Sequence, residues 1–174
     1  MDFFYFLVTS MEQYNDKYGF HSTYFAENSG FLEGFLYSLA IGIVIALVFY
    51  FGLCNGKSIK YATRVNWCIG LAIVALVAYF FGDIMVIGTA GNPGTGFYAF
   101  CQSFANDFMI QHQGNEQAIA DCQIELNNIL TQLNQGKDVA LWFNISNAVY
   151  AMIAYFLVSI GVKNVTKMAS QIPF

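Results

Sequence analysis

"WCIGLAIVALVAYFFGDIMVIG", residues 67–88, carries one ionisable group, Asp83, other than the thiol and phenol of Cys68 and Tyr79. A helix needs about 20 predominantly apolar residues to cross the hydrocarbon of a bilayer, and this run is long enough. A carboxyl group in such a run is costly unless it reaches water, finds a partner or serves a function. Two further stretches have the same character, Phe31–Leu53 and Val139–Val162. The whole chain agrees with them: 174 residues, 57% hydrophobic, 18% aromatic and only 10% charged. A soluble domain carries about 25% charged residues, so this chain cannot cover its own surface with polar groups. The reading is an all-α integral membrane protein with three transmembrane helices.

The loops orient those helices. Lys57, Lys60 and Arg64 lie in the short connection 54–66, and Lys163 and Lys167 lie in the tail 163–174, with no acidic residue in either. The segments 1–30 and 89–138 hold Lys17 and Lys137 against Asp2, Glu12, Asp16, Glu27, Asp107, Glu116, Asp121, Glu125 and Asp138. Cytoplasmic loops are enriched in Lys and Arg, which predicts an outside N-terminus and a cytoplasmic C-terminus in the cell (inner or plasma) membrane. The organisation expected is therefore an outer segment 1–30, spans 31–53, 67–88 and 139–162, a cytoplasmic loop 54–66, an outer segment 89–138 and a cytoplasmic tail 163–174. "MDFFYFLV" begins with an acid and leads to no small-residue cleavage site, so a signal peptide is not expected.

The outer segment 89–138 reads as a two-helix hairpin. Phe97, Phe100, Cys101, Phe104 and Phe108 recur at three- and four-residue steps, and so do Ile119, Cys122, Leu126, Ile129 and Leu133. Such spacing marks one apolar face on each of two helices. A turn over "MIQHQGN", residues 109–115, sets Cys101 and Cys122 level with each other at about 1.5 Å per residue. The outside compartment permits a disulfide, so a Cys101–Cys122 bridge is expected, with Cys54 and Cys68 reduced at the cytoplasmic ends. Asn115 suits the N-cap of the second helix and Gly136 its C-terminal end. "GTAGNPGTG", residues 88–96, lacks the GK[ST] ending of a phosphate-binding loop and reads as a connector. The aromatic residues of 1–30 suggest short helices at the membrane interface, with packing on the hairpin or on a neighbouring subunit as the other options.

Catalytic signals are sparse. His21 and His112 stand far apart and read as solvated or capping residues. No HExxH, CxxC or GxSxG occurs, and no set of ligands converges as a metal site requires. No catalytic residue, metal or cofactor is predicted, and no basic stripe suggests nucleic acid. The expectation is a protein without enzymatic activity.

The spans carry other features. Ser38, Gly42 and Ala46 form a small-residue seam at four-residue spacing, and Ala75, Ala78 and Gly82 form a second. Such seams let helices approach closely. Asn144 and Asn147 give the third span a polar face. Asp83 lies about 24 Å along its helix from Trp67, close to the outer surface of a core roughly 30 Å thick. Glu33 enters from that surface too. Either the carboxyl groups lean to water and bond to neighbouring side chains, or Glu33, Asp83 and the Asn face line a cation path. The function expected is a structural subunit of an oligomeric or multi-protein membrane assembly, in contact with lipid, copies of itself or other subunits. The alternative is a homo-oligomeric channel.

Overall fold

The computed structural model describes residues 5–10, 14, 16–27, 29–54, 63–87, 96–134 and 139–163. Among these no strand occurs. The helices in order are α1 (Phe6–Thr9), α2 (Phe20–Ser22) running into a π turn (Thr23–Glu27), α3 (Gly30–Leu47) continuing as π-helix (Val48–Cys54), α4 (Arg64–Ile87), α5 (Gly96–Gln111), α6 (Glu116–Asn134) and α7 (Val139–Lys163). Three stretches, Gly30–Gly52, Arg64–Val86 and Val139–Val162, are long and apolar enough to cross a membrane. Their exposed side chains include Leu36, Val44, Ile73, Phe80, Ile153 and Leu157. Helices apolar on the outside as well as inside match a hydrocarbon environment.

The chain forms two compact units. One comprises Met1–Gly34 and Phe81–Asn144, the other Phe35–Phe80 and Ile145–Phe174. The division separates charge. All eleven carboxylate residues fall in the first unit, and five of the seven basic residues fall in the second, which has no Asp or Glu.

The second unit packs along helix faces whose buried residues recur at four-residue steps. Ser38, Gly42 and Ala46 are buried on α3, Gly70, Val74 and Ala78 on α4, and Asn147, Ala151, Tyr155 and Ser159 on α7. A Cβ at Gly42 would collide with the Ala151 carbonyl, and would stand 2.8 Å from Ala154 Cβ and 3.0 Å from Tyr155 N. Glycine is what permits α3 and α7 to touch there. Trp67 Nε1 donates to Ser159 Oγ at 3.2 Å, and Ser159 donates in turn to the Tyr155 carbonyl at 2.7 Å. The indole thus satisfies its donor inside an apolar cluster that includes Phe49, Tyr50, Val74 and Tyr155.

The first unit has an aromatic core. Phe25 sits with its ring centroid 5.3 Å from Phe31, 5.3 Å from Phe97 and 5.0 Å from Phe143. Tyr5 stacks on Phe31 at 4.5 Å, and Phe20 meets Phe104 edge-on at 5.0 Å. Tyr5, Phe20, Phe25, Phe31, Phe97 and Phe143 are all buried. Each such ring pair adds about 0.5–1.5 kcal/mol beyond its buried area. These rings of the N-terminal segment pack on α5 and on the start of α3, the second of the arrangements that the aromatic composition allows.

α5 and α6 pack on each other and are joined by residues 112–115. Gly114, at φ 102°, makes the turn, and the Asn115 side chain accepts from Ala118 N–H at 3.2 Å as the expected N-cap. The helix α5 extends to Gln111, beyond the expected start of the turn. Cys101 then lies ten residues before the end of α5, and Cys122 lies six residues after the start of α6. In an antiparallel pair this staggers the two by about 6 Å along the axes. The expected bridge is not made, and both cysteines are buried thiols. Gly136, the connector before Gly96, most of the basic loop and the tail lie outside the described residues.

Candidate functional site

Two polar pairs stand inside the first unit. In the first, Asn144 Nδ2 on α7 donates to Asp83 Oδ1 on α4 at 3.3 Å. Asn144 is 1% exposed and Asp83 half-buried. Asn144 Oδ1 is buried and meets no partner among the described residues. Asp83, the carboxyl within the apolar run of α4, is thus tied to a neighbouring helix. Two residues further on, the Met85 carbonyl accepts from Tyr24 OH at 3.1 Å. That carbonyl is one of the last four of α4, which a helix cannot satisfy internally. Burial first, then the nearby Glu33 carboxylate and Cys101 thiol, push the Tyr24 phenol up to about 12. Tyr24 therefore stays a proton donor and closes the end of α4.

The second pair is Asp16 and His21. Asp16 Oδ1 accepts from the N–H of Tyr18 at 3.1 Å and of Phe20 at 2.9 Å. Its Oδ2 accepts from the N–H of His21 at 3.0 Å and faces His21 Nδ1 at 3.0 Å. The carboxylate can only accept, so Nδ1 carries the proton. Burial alone would raise the Asp16 carboxyl, but the His21 ring and the N–H groups of His21 and Phe20 outweigh it and hold it below its ordinary 3.8. The side chains are 1% and 3% exposed, and the His21 ring lies 4.9 Å from Phe97. The sequence reads His21 as solvated or capping, and the structure buries it beside Phe97 in the aromatic core. Closed to substrate, the pair fixes the entry to α2. Lys17, beside it, bonds Asp121 on α6 at 3.1 Å across an exposed surface.

The remaining candidates disperse. Glu33 is exposed on the first turn of α3 and shares no hydrogen bond with Asp83. Asn147 is 1% exposed and belongs to the second unit. Gly42 meets α7, so the seam Ser38–Gly42–Ala46 has a partner within the chain. On α4, Ala78 and Gly82 are buried while Ala75 is half-buried, and the four-residue series continues through Val74 and Gly70 instead. His112 is exposed, stacks on Phe108 at 4.0 Å and faces its carbonyl at 2.9 Å, a helix-end role. Cys68 is exposed, and the Cys122 thiol is pushed up by burial and then by Glu125, which keeps it protonated. Among the described residues no group of three or more His, Cys, Asp or Glu side chains gathers as metal ligands.

The arrangement defines an all-helical protein with three helices able to span a membrane. Comparison with known proteins returns no match to a family model, to a characterised relative or to a solved structure.

Proposed function

We propose that the chain is a multi-pass protein of the cell membrane, N-terminus outside and C-terminus cytoplasmic, acting as a non-catalytic structural subunit of an oligomeric or multi-protein assembly. The observation that carries this reading is the Asn144–Asp83 hydrogen bond, which gives the carboxyl within the α4 span a packing role. The charge division supports the orientation, because the basic residues cluster with one unit and the carboxylates with the other. In this reading α5, α6 and the N-terminal segment form the outer face offered to a partner.

A pore with a carboxylate mouth is the second reading. The exposure of Glu33 and the unfilled Asn144 Oδ1 beside Asp83 favour it. Purification from native membranes separates the two. Recovery with a different protein at fixed stoichiometry supports the structural subunit, whereas cation conductance of the purified chain alone establishes the pore.

A further inference from the structure

We draw no further inference here: the strongest candidate, the buried side-chain oxygen of Asn144 on α7 beside Asp83 in the last turns of α4, belongs to the site already described, and the amide turns its nitrogen rather than that oxygen to the carboxylate, so nothing in the structure shows a ligand held between them.

Discussion

Asn144 gives Asp83 a hydrogen bond at 3.3 Å and keeps its own side-chain oxygen buried without a partner. The pair is therefore half-satisfied, and a second amide at position 83 would complete it. Asp83→Asn still accepts from Asn144 Nδ2 and can donate to Asn144 Oδ1. Stability in detergent is expected to hold or rise by about 1 kcal/mol. Asp83→Leu strands Asn144 and is expected to cost about 1–3 kcal/mol. Thermal unfolding of the two variants beside the wild type checks the order.

Gly42 is the close approach of α3 to α7. Gly42→Val places carbon against the Ala151 carbonyl and Ala154 Cβ, where backbone rather than a movable side chain must yield. A loss of about 3 kcal/mol or more is expected, at or beyond the upper end of ordinary overpacking. At Gly161 nothing lies within 4 Å of an added Cβ, so Gly161→Ala is the control that leaves the unfolding midpoint unchanged or slightly raised.

The Asp16 carboxyl is held below its ordinary 3.8 by hydrogen bonds present only in the fold. A lowered folded value means the stabilisation is complete above 3.8 and is lost as pH falls through the folded value. Near-ultraviolet circular dichroism of the aromatic core should therefore persist to below pH 3.8 and then decline. Asp16→Ala should weaken the signal at neutral pH and abolish that acid step.

Cys101 and Cys122 are buried thiols. Under non-reducing conditions both should resist an alkylating reagent in the folded protein and react fully once it is unfolded. Peptide mapping that recovers a Cys101–Cys122 link would contradict the buried-thiol state and restore the bridge expected from the sequence.

What was legible in the sequence follows from what leaves a local signal. The three long apolar helices stand out because charge is absent over whole turns, and Asn115 because an N-cap acts within three residues. The Ser38–Gly42–Ala46 seam is legible because small residues interrupt bulkier ones. On α4 almost every residue is apolar, so hydropathy does not say which face is inside, and Gly70 and Val74 are missed while Ala75 is chosen. The Asp16–His21 pair joins the residues before α2 to a helix of a single turn, too short for any period to show. The end of α5 is not fixed by its aromatic stripe, and the helix runs to Gln111, past the start of the turn expected at residue 109.

The central claim is the orientation of the chain in a membrane, and side-specific labelling tests it most directly. In a background with the four native cysteines replaced by alanine, single cysteines are placed at Lys60 and at Asn127, which is exposed on α6. An impermeant maleimide applied to intact cells with the outer layers opened should label Asn127→Cys and leave Lys60→Cys unlabelled until the membrane is lysed. Labelling of Lys60→Cys from outside, or labelling of both positions before lysis, would contradict the account.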